Sequence, residues 1–366
     1  MLWRYLLRPI LFSIPAERAH YAAMSAFRYS AMLPGVASFL RNKNKVSDSR
    51  LASEHFGLKF ENPVGLAAGF DKNGQWFELL ELMGFSHIEI GTLTAHAQPG
   101  NDKPRLFRLP QDRALINRMG FNNDGSEAAA QALQGRTCHG VLGINIGKSK
   151  ITELADAASD YAKSMERLIP YAGYFTINVS SPNTPGLRKL QNRDDLEQII
   201  RKLKNVNRSW TDSNAQKAKP ILLKIAPDLT LEQIDEIADL AIDSELDGLI
   251  ATNTTIAREP LQTDTSVVEQ IGAGGLSGKP LTERSREVVR RLFLRLQGKI
   301  PVIGCGGIMS ADDAWQMICS GASMVQVYTG FVYGGPQFVR QLNRELLKKL
   351  DERGINHIQD AIGIDA

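Results

Sequence analysis

The stretch IPVIGCGGIMSADDAWQMICSGASMVQVYTG (residues 300–330) contains, in order, a short apolar run, a glycine-rich turn, a helical pattern and a second apolar run. Neither run alternates apolar with polar residues, as expected of parallel strands covered on both faces. The same unit recurs along the chain. The runs are Pro63–Ala68, His87–Gly91, Val141–Ile146, Tyr174–Val179, Ile221–Ile225, Gly248–Ala251, Ile300–Gly304 and Met324–Val327, with helical patterns such as LEQIDEIADLAIDSELDG (231–248) between them. Eight β units in series predict a closed (β/α)8 TIM barrel of the α/β class rather than a six-stranded doubly wound sheet.

In such a barrel all strands end at one mouth, where active sites are built. At or just past the run ends stand Gly69-Phe70-Asp71-Lys72, Thr92, Asn145, Asn178, Lys224, Thr252-Asn253-Thr254, Gly306-Gly307 and Tyr328-Thr329. Amides, hydroxyls and lysines recur there too regularly for unrelated loops. Two segments break the rhythm. About fifty residues between the second and third runs, including QPGNDKPRLFRLP and NRMGFNND, are too long for a loop plus a helix and predict an inserted hairpin and a loop over the mouth. Residues 1–45 precede the barrel (46–366), with Leu2, Trp3, Leu6, Leu7 and Ile10 at near-helical spacing. Pro15 and a second helical stretch follow, ended by Pro34-Gly35. The tail after about residue 352 reads as a weakly ordered terminus.

Composition bounds the rest. The 366 residues are 43% hydrophobic and 23% charged, enough for one large core, and the net charge of +3 gives no sign of nucleic-acid binding. Residues 1–50 carry eight Lys/Arg against Glu17 and Asp48, a local excess of six, which leaves the remaining 316 residues at −3. A basic, apolar lead-in on a slightly acidic body suits an anionic lipid surface, although a solvated basic arm has the same composition. No run is long enough to span a membrane, and the opening MLWRYLLRPILFSIP is a poor signal peptide, with arginines inside its apolar stretch. Cys138, Cys305 and Cys319 have no metal-site spacing.

Several mouth motifs carry chemistry. Gly304-Cys305-Gly306-Gly307 and Tyr328-Thr329-Gly330 follow the seventh and eighth runs, where barrels commonly hold a ligand phosphate. GAGGLSGKP (272–280) is neither a Walker A loop, because of Ala273 and Pro280, nor a dinucleotide fingerprint, because its last glycine comes one residue late; it is kept as a close backbone approach to a ligand. Lys72 and Lys224 at apolar strand ends need anionic partners. Asn178-Val179-Ser180-Ser181-Pro182-Asn183-Thr184-Pro185-Gly186 packs amides and hydroxyls into a loop stiffened by two prolines.

Gly65 through Lys72, Ile88-Glu89-Ile90-Gly91-Thr92, Pro104 through Arg108, Asn117 through Asn122, Asn178 through Gly186 and Ala251 through Thr255 together resemble the dihydroorotate dehydrogenase family, in order and over nearly the whole chain. Ser181 stands where the cytosolic class has a cysteine, so the resemblance is to the quinone-dependent class. It implies one FMN per chain, held by Ala67, Ala68, Gly69, Phe70, Asp71, Lys72, Thr92, Asn145, Asn178, Lys224, Thr252, Gly278, Gly307, Tyr328 and Thr329. It implies dihydroorotate bound by Lys72, Asn117, Arg118, Met119, Gly120, Phe121, Asn178, Asn183, Asn253 and Thr254. Ser181 would be the general base, with Lys72 and Lys224 assisting, and orotate the product. Electrons would pass to a membrane quinone reached through the N-terminal extension. A monomer, peripheral on the cytoplasmic face of a bacterial inner membrane, is expected. The rivals are a cytosolic fumarate- or NAD-linked dehydrogenase on the same barrel, and a non-redox barrel that binds a phosphorylated ligand.

Overall fold

The computed structural model describes residues 3–184 and 186–366, and of Lys189 only the backbone. Leu2 and Pro185, both named above, lie outside the described residues. Eight parallel strands form a closed barrel: β1 (Val64–Leu66), β2 (His87–Leu93), β3 (Val141–Ile146), β4 (Tyr174–Asn178), β5 (Ile221–Ile225), β6 (Gly248–Ala251), β7 (Val302–Cys305) and β8 (Met324–Val327). Each strand pairs with its sequence neighbours, and β8 closes on β1. Every predicted run coincides with a strand, although two strands run further than expected, to Leu93 and to Cys305. All are buried almost throughout, because helices cover the outside and side chains fill the inside.

The period of two along each strand sets what enters the barrel. Tyr174, Leu222, Ile250, Ile303 and Met324 pack together as an interior apolar floor, plugged by Phe60 of the hairpin Ser53–His55/Leu58–Phe60. Two residues further along the same strands stand Thr176, Lys224, Thr252, Cys305 and Gln326. The interior therefore changes from apolar to polar towards the mouth within one strand length.

The predicted insertion is an antiparallel hairpin, Leu106–Leu109 with Ala114–Asn117. A third strand, Gly275–Gly278, joins its edge, and it comes from the glycine-rich run kept above as a close backbone approach to a ligand. Sequence distance hid this pairing: the partners lie about 160 residues apart, and the run has almost no side chains to show alternation.

Two expectations need correction. The second helical stretch does end ahead of Pro34-Gly35, but the extension (1–45) holds a further helix that the pattern did not show. After the π-helical turn Trp3–Leu7 and the helices Arg8–Phe12 and Ala16–Ala31, Gly35 turns the chain with φ 79° and a further helix, Val36–Asn44, follows. The Asn44 amide anchors it by donating to the Leu82 carbonyl at 2.9 Å. The C-terminal tail is also ordered against the barrel. Ile358 and Ala361 are buried, and the Gly363 and Asp365 N–H groups donate to the carbonyls of Ile318 and Cys319 at 3.1 and 2.9 Å.

Candidate active site

The mouth cavity is walled by loops from all sides of the barrel and roofed by Leu106, Leu115 and Asn117 of the inserted hairpin. Lys72, Ser181 and Lys224, predicted from separate strand ends, all line it. So do most other predicted residues: Ala67, Ala68, Gly69, Thr92, Asn117, Met119, Gly120, Phe121, Asn178, Asn183, Thr252, Asn253, Thr254, Gly278, Gly307, Tyr328 and Thr329. Four predicted residues stand elsewhere. Asn145 lies one layer below. The Asp71 carboxylate accepts from the N–H groups of Gln75 and Trp76 at 2.8 and 2.7 Å and so fixes the turn after β1. Phe70 packs edge-on against His20 and Tyr328. Arg118 stacks over the Phe107 ring and donates to the carbonyls of Ile271, Ala273 and Pro104, tying the insertion to the 271–273 segment.

Below the cavity a buried network sets the orientation of the amides. Glu89, in the middle of β2, accepts from Asn145 Nδ2 (2.8 Å), the Tyr174 hydroxyl (3.1 Å), Thr176 Oγ1 (3.0 Å) and Gln326 Nε2 (3.0 Å). A carboxylate only accepts, so both amides must turn their nitrogens towards it. Asn145 then presents Oδ1 to Thr92 Oγ1 (2.5 Å) and Asn178 Nδ2 (3.1 Å). Gln326 presents Oε1 on the other side, buried and with no partner among the described residues. Glu89 and Gln326 had no role in the sequence reading, although each is a polar residue inside a buried apolar strand, which is the signal that marks them.

Two ammonium groups enter the cavity. Lys72 Nζ donates to the Gly69 carbonyl at 2.5 Å, and Lys224 Nζ lies 4.0 Å from Cys305 Sγ. Among the described residues neither forms an ion pair. Burial, with like-charge repulsion from Arg105, pulls the Lys72 ammonium down to about 8, against smaller opposing pulls from Glu17 and Asp71. Burial raises the Cys305 thiol, which stays protonated.

The loop after β4 arches over the cavity. Asn183 N–H donates to Ser181 Oγ at 3.3 Å, and the Asn183 side chain donates to Asn117 Oδ1 at 3.2 Å. Asn253 Nδ2 donates to Ser180 Oγ at 3.0 Å. At the opposite end, Gly278, Gly307 and Thr329 come together, with Ser277 Oγ 2.8 Å from Thr329 Oγ1. Gly307 has φ 74°, and a Cβ there would lie 2.2 Å from Thr282 Cα, so only glycine fits.

A second cavity of about 790 Å³ lies between the N-terminal helices and the barrel, lined largely by apolar residues such as Leu7, Leu11, Phe27 and Phe331. Gly69, Lys72, Leu106, Leu115, Met119 and Tyr328 line both cavities and form the wall between them. His20 faces this second space. Burial and the nearby Lys72 lower its pKa to about 4, which leaves the imidazole neutral. Glu17 forms a two-point pair with Arg105 (3.2 and 2.8 Å), and that guanidinium holds its carboxyl below the usual value against the opposing effect of burial.

This arrangement is that of a barrel enzyme whose mouth gathers two buried ammonium groups and several amides, with an apolar chamber beside it. Comparison with known proteins gives the lineage: the family model for dihydroorotate dehydrogenase matches residues 50–350, and the chain belongs to that family. It is 48% identical over 358 residues to the dihydroorotate dehydrogenase (quinone) of Gloeobacter violaceus, covering 98% of each chain, and 47% identical to that of Christiangramia forsetii, covering 95% of this chain and 99% of the relative. Among solved structures, dihydroorotate dehydrogenase from Eimeria tenella in complex with ferulenol superposes with a TM-score of 0.85 at 39% identity, covering 95% of both chains. The ligand-free form of that enzyme gives 0.82.

Proposed function

We infer that the chain oxidises dihydroorotate to orotate in pyrimidine biosynthesis and passes the electrons to a quinone. The observation that carries this reading is the convergence of Lys72, Ser181 and Lys224 with Asn117, Asn178, Asn183 and Asn253 in one cavity. Each amide offers both a donor and an acceptor, which matches a ring carrying imide-like groups, and Lys72 suits a ring carboxylate.

The residues present fit FMN. Among the described residues Gln326 Oε1 is an orphaned acceptor in the wall and Lys224 has no anionic partner, and Gly69 beside them has φ 100°, a backbone that favours glycine and leaves the mouth free of a side chain there. Ala67 through Gly69, Thr92, Asn178, Lys224 and Thr252 would hold the ring system, and Gly278, Gly307, Tyr328 and Thr329 the phosphate end. When bound, FMN supplies the two-electron acceptor for the hydride leaving C6 of the substrate. Ser181 Oγ takes the proton from C5 and gives up its own hydroxyl proton to water, so that a C5=C6 double bond replaces the two C–H bonds. The Asn183 N–H at 3.3 Å supports the alkoxide character that the oxygen gains as its own proton leaves. Lys224 balances negative charge at the mouth, and Asn145, fixed by Glu89, keeps Thr92 and Asn178 in place.

The second cavity suits the quinone, since it is apolar and shares a wall with the mouth. The extension carries exposed Tyr5, Leu6, Ile10, Met32, Leu33 and Phe39 beside Arg4, Arg8, Arg41 and Lys43. That pattern supports peripheral attachment to an anionic membrane surface. No helix among the described residues is long and apolar enough to cross a membrane. A working monomer on the cytoplasmic face of a bacterial inner membrane completes the reading, in keeping with the bacterial relatives.

Anaerobic addition of dihydroorotate to the purified yellow protein tests the reading. The flavin absorbance should bleach and return on adding quinone, and Ser181→Ala should slow the bleaching by about 10²–10⁴-fold. Unchanged absorbance with dihydroorotate would overturn the assignment, and a near-normal rate in Ser181→Ala would remove Ser181 from its role.

A further inference from the structure

We propose that Arg188 is a positioning residue for this reaction: its guanidinium holds the peptide next to Ser181 and the backbone of Thr254 in register, an inference that rests on the site reading above. Arg188 lies in the short 3-10 helix Leu187–Gln191 that follows the arching loop. Its Nε donates to the Ser180 carbonyl at 3.1 Å, one terminal nitrogen donates to the Thr254 carbonyl at 3.2 Å, and the other pairs with Asp228 Oδ2 at 2.8 Å. Asp228, just past β5, in turn accepts from the Thr255 hydroxyl and from the Ile256 N–H at 3.3 Å. The loops after β4, β5 and β6 therefore meet at one fork of donors.

The Ser180 carbonyl belongs to the peptide that carries the Ser181 nitrogen. The Ser181 side chain itself accepts from the Asn183 N–H, which belongs to the same loop. Among the described residues the pair of bonds from Arg188, together with Asn253 Nδ2 to Ser180 Oγ, ties the Ser181 loop to the amides on the β6 loop. A planar guanidinium can serve three acceptors at fixed angles, whereas a lysine ammonium cannot reproduce that fork. The ion-paired side chains are 23% and 18% exposed, so solvent screens the clasp only partly.

The test uses the flavin-loaded full chain. In Arg188→Met, flavin bleaching by dihydroorotate should slow by about 10–100-fold, on the scale of a roughly 1 Å misplacement of a catalytic group. Orotate affinity by calorimetry should fall several-fold, while flavin content and the rate of reoxidation by a short-chain quinone should stay unchanged. Arg188→Lys should restore the rate only in part, and Asp228→Asn should shift it in the same direction by less. Bleaching at the unsubstituted rate in Arg188→Met would overturn the proposal, as would equal loss in both half-reactions with loss of flavin. Should Arg188→Met fail to fold, unaltered bleaching in both Arg188→Lys and Asp228→Asn would overturn it equally well. Failure of the unsubstituted protein to bleach is a separate result, directed at the function itself.

Discussion

Lys72 shows how much of the chemistry depends on single residues. Its pKa of about 8, set by burial and Arg105, means that in the empty site the ammonium loses its proton as pH rises through that value. Orotate affinity, measured by titration between pH 6.5 and 9.5, should therefore weaken above about pH 8. A bound carboxylate favours the charged form and raises the Lys72 pKa in the complex. Lys72→Met should give a weaker and flat profile; a flat profile in the unsubstituted protein would separate Lys72 from the carboxylate. The same depression bears on stability with the opposite sign: below about 8 the folded chain holds a charge that burial disfavours, and this destabilisation fades as pH rises towards the unfolded value near 10.5. At this scale Lys72, Ser181 and Lys224 were legible because polar residues at the ends of apolar runs are conspicuous. Arg188 was not, because its partners come from loops 8 to 66 residues away and a helix-borne arginine reads as solvated surface.

Among the elements, the first helical turns are seated by one glycine. Trp3 Nε1 donates to the Tyr333 carbonyl at 3.0 Å, and Gly335, with φ 77°, lies so close that a Cβ would fall 2.3 Å from the indole. Both residues line the second cavity and neither lines the first. Gly335→Ala should displace Trp3 and add about 1–3 kcal/mol of backbone strain, because φ 77° with ψ −165° is a conformation kept almost entirely for glycine. Steady-state assays should show quinone reduction several-fold slower, with bleaching by dihydroorotate untouched; slowing of the bleaching instead would contradict the division of labour between the cavities. Strand order and the inserted hairpin were readable from apolar runs and segment length. The strand Gly275–Gly278, the helix Val36–Asn44 and the seated tail were not, because each depends on tertiary partners that local pattern does not reveal.

Taken as a whole molecule, charge and apolar exposure are concentrated at one end of the sequence: six net positive charges lie within the first fifty residues, with Tyr5 68%, Ile10 54% and Phe39 60% exposed. Sedimentation with vesicles should show binding to anionic lipid that weakens with added salt, and each of Arg4→Gln and Arg8→Gln should cost roughly 1 kcal/mol. Equal binding to neutral vesicles at high salt would mean that the arginines contribute little. The barrel was legible at this scale because eight similar units admit few closed arrangements, whereas the second cavity depends on how the extension packs back onto the barrel. The partition formed by Gly69, Lys72, Leu106, Leu115, Met119 and Tyr328 has a further result. On the assignment proposed above, a water-loving reactant and an oil-loving one would occupy adjoining rooms, so that electrons pass while neither molecule meets the other. Each should then be displaced only by mimics of its own kind, and blocking one room should leave the occupant of the other still able to enter.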